Sequence, residues 1–328
     1  MKAIGITIRD FLIYLIFLGL SIPFRILSYP GALKLGTFIV RLLFPLFPKY
    51  RRIALENIAY AFPDTESVNA AQPDTKPVIT ERHQQIFDEH LNHLGYLIAD
   101  TFWKSRMNQE WFEKYVRYEP GAKEIEDNLI RRIESGKGFI LVSGHIGTWE
   151  NIVQFVGYRL HGAVLYKRIK NRFLDQWFEK QRGILGTKIY PMEETGSLIR
   201  YLRQGGVIGL AADQNAGGAG IFVDFLNRPA STYKGPATIA LLAKTPLIFI
   251  TLIHKGDGTV FLDFEDLGII EAIAQLQDDK EAAIAKITHL WVNALERAIH
   301  KTPGQYFWVH RRWKTTPAMM KELKSKRS

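Results

Sequence analysis

The chain opens with a long apolar run and then changes to regularly spaced apolar and polar positions. Residues 11–24 (FLIYLIFLGLSIPF) contain no charged side chain. Residues 51–62 and 80–106 then place apolar side chains at helical spacing, which predicts two amphipathic helices. The polar, proline-containing stretch 64–76 between them predicts an exposed loop.

From about residue 121, short apolar runs alternate with stretches of helical length. The expected strands are 139–143, 163–166, 187–190, 206–211 and 246–253, and the expected helices are 121–134, one beginning near 148, 172–182, 195–203, 234–243 and 278–300. Strands that alternate with helices of this length predict an α/β fold with a mixed, partly parallel central sheet flanked by helices.

These patterns divide the chain into three expected regions. Residues 1–48 are expected to form a helical membrane anchor with interfacial helices, and residues 49–118 a helical membrane-proximal segment that includes a polar loop at 64–79. Residues 119–328 are expected to form an α/β catalytic core that ends in a basic tail.

The N-terminal apolar run is short for a membrane span. Its fourteen residues would rise about 21 Å as a helix, whereas a hydrocarbon core is about 30 Å thick. A start at Ala3 gives enough length but brings Arg9 and Asp10 into the span. A cleaved signal peptide and an ordinary core helix are the alternatives, yet no A-x-A-like site follows and cations flank the run. We therefore expect an uncleaved anchor that spans the bilayer or lies in its interface.

The distribution of charge agrees with a membrane partner. The chain carries 43 Lys and Arg against 33 Asp and Glu, a net charge of +10, but residues 1–52 and 301–328 each carry +7. The 248 residues between them carry −4, so an acidic body has basic ends. This arrangement favours membrane lipids over nucleic acid as the partner. The chain has no cysteine, which excludes disulfides, Cys-zinc sites and cysteine nucleophiles.

The segment GFILVSGHIGTWEN, residues 138–151, combines strand, turn and helix signals. A predicted strand ends before His145, Thr148 can cap the next helix, and Glu150 lies in the first turn of that helix. Sites in open α/β sheets gather at the carboxyl ends of strands. If the turn folds back, Glu150 can accept a hydrogen bond from one ring nitrogen of His145 and leave the other as a base. A surface turn with a capped helix is the alternative, and His-x4-Glu does not match the zinc protease pattern.

Further polar candidates follow the other predicted strands. Lys167 and Arg168 begin a basic run after one strand, which suits either phosphate binding or a solvated helix start. Asp213 and Gln214 follow another strand and lie on the sheet edge of His145 if the two strands are parallel. There their side chains could position a substrate, or they could form an Asx-type turn.

Aromatic side chains and cations lie together near the C terminus. Tyr306, Phe307 and Trp308 come shortly before Arg311 and Arg312. This combination is typical of a membrane-interface belt or of a phosphate clamp, and both interpretations remain open.

Together these motifs resemble the late acyltransferases of bacterial lipid A biosynthesis, within the lysophospholipid acyltransferase superfamily. His145 and Glu150 match the His-x4-Asp/Glu motif of glycerolipid-type acyltransferases. The other matching segments, in chain order, are Asn57 followed by Ala61-Phe62-Pro63, Leu165-Tyr166-Lys167 with Asn171 downstream, Asp213-Gln214 with Phe222-Val223-Asp224-Phe225, and the 303–314 pattern P-x-Q-Y-x-W-x-H-R-R-x-K. The chain departs from the family at Lys167-Arg168, where Arg-Pro is usual.

The resemblance implies transfer of a fatty acyl group from acyl carrier protein to a hydroxyl of a lipid A precursor, at the bacterial inner membrane and on its cytoplasmic side. It implies His145 as general base and Glu150 as its orienter, with backbone NH groups near Gly144 or Gly147, or a basic side chain, stabilising the oxyanion. The implied substrate-binding residues are Lys167, Arg168, Asn171, Asp213, Gln214, Arg311 and Arg312. A thioester donor requires no cofactor and no metal.

Two other functions remain open at this point. One is an acyltransferase of the same superfamily that acts on glycerophosphate, ornithine lipid or a phosphatidylinositol mannoside. The other is a nonenzymatic membrane-anchored binding protein, in which the basic ends would matter and His145 would not.

Overall fold

The computed structural model describes residues 2–63, 77–268 and 279–320. Its helices are α1 (Lys2–Ile26), α2 (Tyr29–Leu43), α3 (Pro48–Ala61), α4 (Glu81–Trp103), α5 (Gln109–Tyr115), α6 (Ala122–Glu134), α7 (Trp149–Leu160), α8 (Arg172–Arg182), α9 (Thr195–Arg203), α10 (Gly235–Ala243) and α11 (Lys280–Lys301). Its strands are β1 (Val116–Tyr118), β2 (Phe139–Ser143), β3 (Ala163–Tyr166), β4 (Lys188–Pro191), β5 (Val207–Ala211), β6 (Ile221–Phe225), β7 (Arg228–Thr232), β8 (Leu247–His254) and β9 (Val260–Asp266). The loop predicted at 64–76 lies outside the described residues.

Seven strands form one sheet in the order β1-β9-β8-β2-β5-β3-β4. Strands β8 and β9 are antiparallel, whereas β2 runs parallel to both β5 and β8. Strands β6 and β7 form a separate antiparallel hairpin. The predicted mixed, partly parallel sheet flanked by helices is therefore confirmed.

Strand β2 lies in the middle of this sheet because every residue in it can be buried. All five residues, Phe139 to Ser143, are buried. Ile140 and Val142 belong to the apolar cluster that includes α10 and α11, and Phe139 and Leu141 belong to the cluster that includes α4 and α7. A strand with helices on both faces has this continuous apolar sequence.

The N-terminal helices pack against the α/β body through aromatic rings and closely approaching backbones. The Phe17 ring of α1 lies 4.9 Å from that of Trp177 in α8. Helix α2 crosses α4 so closely that a Cβ at Gly36 would stand 2.1 Å from the Gly95 carbonyl oxygen. The Tyr29 hydroxyl of α2 also donates to the buried Asp100 of α4 at 2.6 Å.

Many apolar side chains of α1 to α3 remain at the surface. They include Phe11, Leu12, Ile16, Leu20, Ile22, Ile26, Phe38, Leu42, Leu46, Phe47 and Tyr50. Within the described ranges, no helix taken alone has both the length and the apolarity of a membrane span. Tyr29–Leu46 and Pro48–Ala61 meet those criteria only as a pair, with a 103° bend between them. The predicted N-terminal anchor is thus not confirmed.

Candidate active site

The turn that carries His145 is held by main-chain hydrogen bonds from the C-terminal segment. The Phe307 NH donates to the His145 carbonyl at 2.9 Å, and the Gly147 NH donates to the Gln305 carbonyl at 2.9 Å. Gly147 has φ +56°, and a Cβ there would stand 2.2 Å from the Leu252 carbonyl oxygen. Only glycine fits this position, so the turn has little freedom to move.

His145 pairs with Asp213 at the carboxyl edge of the sheet. Strand β2 precedes His145 and strand β5 precedes Asp213, and the two strands are parallel neighbours, which meets the condition for placing both residues on one sheet edge. The Asp213 Oδ1 lies 2.6 Å from the His145 Nδ1, and its Oδ2 accepts the His145 backbone NH at 3.0 Å. An ionised Asp213 makes Nδ1 the donor, which leaves a lone pair on Nε2. The imidazole is 20% exposed and the carboxylate 2%.

The charges of this pair stabilise each other against burial. Burial opposes ionisation of Asp213, but the charge of His145 and the two hydrogen bonds from it lower the pKa of Asp213 to about 2. Burial likewise opposes protonation of His145, but the Asp213 charge and hydrogen bond, with the Glu150 charge, raise the pKa of His145 above its ordinary value. This is the arrangement of an oriented general base.

The hydrogen bond expected from the His145 ring to Glu150 is instead made to Asp213. Glu150 lies in the first turn of α7 and accepts from Lys104 Nζ at 2.9 Å. Arg182 of α8 binds the same carboxylate with two nitrogens, Nη2 at 2.6 Å and Nε at 3.2 Å. Burial opposes ionisation of Glu150, but the charges of Lys104 and Arg182 hold its pKa well below the ordinary value. These cations come from distant segments, so spacing around His145 carried no signal of them.

Gln214 and Trp149 contact the imidazole of His145. The Gln214 Nε2 lies 3.3 Å from the His145 Nε2, and the Trp149 ring lies 5.1 Å from the His145 ring. Thr148 occupies the N-cap position of α7, as predicted, but its side chain makes no capping hydrogen bond.

A cavity of about 410 Å³ opens beside His145. Polar and charged groups that line it include Gln214, Glu150, Lys167 and Arg182. Its apolar lining is Leu141, Trp149, Ile152, Val153, Val156, Val164, Leu165, Met192, Leu210, Ala211, Ala212, Pro236, Ile239 and Ile250. A cavity of this size with few polar groups suits an apolar ligand whose reacting group lies at His145.

Three of the remaining predicted substrate-binding residues, Lys167, Arg168 and Arg311, are exposed cations. Lys167 lines the cavity, and the neighbouring Arg168 is exposed with its guanidinium 3.7 Å from Asp175. Arg311 is exposed and lies outside the cavity lining. Only Lys167 of these three meets the cavity directly.

Asn171 and Arg312 are engaged by the protein itself. Asn171 caps α8 through its Oδ1 and donates from Nδ2 to the Asp10 carbonyl of α1 at 2.9 Å. Arg312 is 1% exposed and donates to the Ser231 carbonyl at 2.7 Å. Because their polar atoms bind the protein itself, we do not propose that these two residues bind substrate.

In residues 2–63, 77–268 and 279–320, no group of three His, Asp or Glu side chains is placed to hold a metal ion.

Glutamine in place of Glu150 should lower the free energy of unfolding by about 3–5 kcal/mol, because two buried cations lose their common anion. The Lys104 side chain is 3% exposed and that of Arg182 17%. Thermal or urea unfolding measures the loss. The matched control is Glu119→Gln at the exposed pair with Lys255, which should cost less than about 1 kcal/mol. Equal losses in the two variants would contradict a buried ion cluster.

The chain is similar to known acyltransferases over nearly its whole length. A family model described as bacterial lipid A biosynthesis acyltransferase matches residues 6–315. The chain is 22% identical over 298 residues to a lipid A biosynthesis palmitoleoyltransferase of Escherichia coli (strain K12), covering 89% of this chain and 87% of that protein. It is 24% identical over 314 residues to a lipid A biosynthesis lauroyltransferase of the same organism, covering 93% and 92%. A phosphatidylinositol mannoside acyltransferase of Mycobacterium tuberculosis is 28% identical over 167 residues, 48% of this chain and 52% of that protein.

Proposed function

Because the chain belongs to the bacterial lipid A biosynthesis acyltransferase family and is an acyltransferase, we propose that it transfers a fatty acyl group from acyl carrier protein to a hydroxyl of a lipid A precursor. This reaction would be a secondary acylation in lipopolysaccharide biosynthesis. The observation that carries the proposal is the His145–Asp213 pair, whose Nε2 side meets an apolar cavity.

In the proposed mechanism, His145 Nε2 removes the proton of the acceptor hydroxyl. The oxygen attacks the thioester carbonyl carbon, and a tetrahedral intermediate forms. When it collapses, the carbon–sulfur bond breaks and the thiolate takes the proton from the imidazolium. The products are an ester and a free thiol. Asp213 stabilises the imidazolium and fixes the ring, since it binds both Nδ1 and the His145 backbone NH.

Positive charge near the cavity supports stabilisation of the oxyanion by a basic side chain. The Gly147 NH is already bonded to the Gln305 carbonyl, so it is a poor candidate. Arg182 lines the cavity and shares Glu150 with Lys104, a cluster of two cations and one anion. We assign the oxyanion to the Arg182 side of the cavity and treat Glu150 as a positioning residue for that guanidinium.

The cavity and its rim accommodate the two expected substrates in different ways. The apolar lining would hold the acyl chain of the donor. Lys167 on the lining and the exposed Arg168 beside it would meet phosphate groups of the acceptor, because cations bind phosphate oxygens strongly.

Transfer from acyl carrier protein to a purified lipid A precursor tests this function directly. The full chain in detergent is mixed with acyl-carrier-protein thioester and the precursor, and mass spectrometry follows the lipid. We expect a mass gain of one acyl group with release of the carrier thiol. Acylation of a phosphatidylinositol mannoside and not of the precursor would select the alternative that the partial similarity suggests. No transfer to any lipid hydroxyl would contradict the proposal.

We further propose that the exposed apolar side chains of α1 to α3 attach the enzyme to the inner membrane, with the site facing the cytoplasm. Ile16 and Leu20 of α1 are 64% and 61% exposed. The cations Arg9, Arg25, Lys34 and Arg41 belong to the same helices. Such a surface suits an interface with anionic lipid.

Glutamate at both Ile16 and Leu20 should weaken binding to anionic phospholipid vesicles about 100-fold. Each apolar side chain withdrawn from lipid loses at least about 1.5 kcal/mol, and about 1.4 kcal/mol is a factor of ten. Vesicle flotation measures the change. Ile184→Glu and Leu242→Glu place the same charge at apolar side chains that are 41% and 44% exposed elsewhere and should leave binding unchanged. An equal loss in the control would refute attachment through α1.

A further inference from the structure

Strands β3 and β5 separate at their carboxyl ends. They pair only at Ala163–Ile208 and Val164–Gly209, whereas β5 pairs with β2 along its full length. All four residues of β3 pair with β4 on its other edge, so the last two, Leu165 and Tyr166, have no partner on β5. The sheet therefore opens between β3 and β5 beside the active site.

The cavity occupies this opening and has a lining on each face of the sheet. Successive residues of a strand point to opposite faces. Leu141 and Val164 belong to the apolar cluster on the α7 face, whereas Leu165, Leu210 and Ile239 belong to the cluster on the α10 face. All five line the cavity, so it has an α7 side and an α10 side.

The α7 side ends at a definite layer of the sheet. Ser143 and Ala211 form the first layer behind the catalytic turn, and Leu141 and Gly209 form the second, since each pair is in register. Both layers line the cavity. The next layer on that face, Phe139 and Val207, is buried and lies outside the lining. At about 3.3 Å per residue, Gly209 lies about 13 Å along the strand direction from residue 213.

Gly209 lines the cavity at this end and contributes no side chain. A glycine in a strand interior has no side chain to pack and often marks close approach of a ligand. A Cβ at Gly209 would meet Val164 Cγ1 at 3.2 Å and Val156 Cγ2 at 3.5 Å. Both valines line the cavity, so an added methyl group would take up space at its inner end.

We infer that Gly209 sets the length of acyl chain that the enzyme transfers, with the chain lying on the α7 side and its methyl end against Gly209, Val156 and Val164. This inference rests on the proposed acyl transfer, and it adds which face of the sheet holds the chain and which residue limits it.

Opposite changes at the inner end should shift the chain-length preference in opposite directions. The assay compares kcat/KM across acyl-carrier-protein donors of increasing even chain length, with the lipid A precursor as acceptor. Gly209→Ala should lower kcat/KM for the longest chain that the wild type accepts by about tenfold or more, relative to a donor two carbons shorter. Val156→Ala should raise the relative rate of donors longer than the wild-type optimum.

Two control variants distinguish an acyl chain on the α7 side from a nonspecific effect of substitution on donor preference. Gly196→Ala adds a methyl group where nothing lies within 4 Å, and Ile239→Val enlarges the α10 side; both should keep the wild-type order of donors. A shift in Ile239→Val with none in Gly209→Ala would place the chain on the α10 side and overturn the inference. If Gly209→Ala fails to fold, an unchanged order in Val156→Ala still overturns it. Absence of transfer by the wild type would instead count against the proposed function.

Discussion

Alanine in place of His145 should lower the rate of acyl transfer by about 10²–10⁴-fold without unfolding the protein. The reason is chemical: His145 lines the cavity, Asp213 Oδ1 fixes its ring through Nδ1 at 2.6 Å, and Nε2 is the nitrogen left as the base. The imidazole is 20% exposed, and the turn is held mainly by backbone hydrogen bonds to residues 305 and 307. Removal of the imidazole therefore removes few packing contacts and leaves the turn in place. Transfer from acyl carrier protein to the lipid A precursor, measured at saturating donor, gives the rate.

The matched control is His161→Asn at the end of α7. His161 is exposed and has φ +47°, a backbone conformation that Asn tolerates. This variant should keep the wild-type rate and melting temperature, whereas the His145→Ala protein should fold but melt at a lower temperature, because the buried Asp213 carboxylate loses its partner. A folded His145→Ala protein that transfers at the wild-type rate would rule out His145 as the base and would assign proton removal to another group.

Sequence periodicity predicted the parts of the fold that alternate regularly. Every helix and strand expected between residues 121 and 300 is present with its ends within three residues. Strand β1 has only three residues, too few for a recognisable pattern, and it joins the sheet through pairing with the distant β9. Strand β9 has seven residues of alternating burial and was missed although it directly follows β8 as a hairpin. The β6–β7 hairpin was not predicted, because the expected strands were those that alternate with helices and this hairpin joins two strands directly.

The location of the candidate site was predicted, but the carboxylate that binds the His145 ring was not. Because β2 and β5 are parallel, the expected edge does bring Asp213 and Gln214 to His145. The choice between Glu150 and Asp213 as the partner of the ring depended on how the turn folds, which spacing does not specify. Gln305 fixes that turn through its carbonyl, a contact between positions far apart in the chain.

Asparagine in place of Asp213 should lower acyl transfer by about 10⁴-fold and shift its pH dependence. One carboxylate now accepts both Nδ1–H and the backbone NH of His145, whereas an amide has a single acceptor oxygen for two donors. One donor then loses its partner, or the ring takes the wrong tautomer, for which the loss in a comparable triad is about 10⁴-fold.

The pH dependence separates this role from a merely structural one. Transfer requires neutral His145, so the wild-type rate should rise with pH and level off above the pKa of His145, which Asp213 raises. Removal of the Asp213 charge lowers that pKa, so the inflection should move to lower pH even as the plateau falls. Asp224→Asn, at an exposed carboxylate on β6, should leave both unchanged. If Asp213→Asn lowered the plateau but kept the wild-type inflection, the charge that governs His145 would have to come from another carboxylate, and Glu150, whose charge also raises that pKa, would become the partner to test.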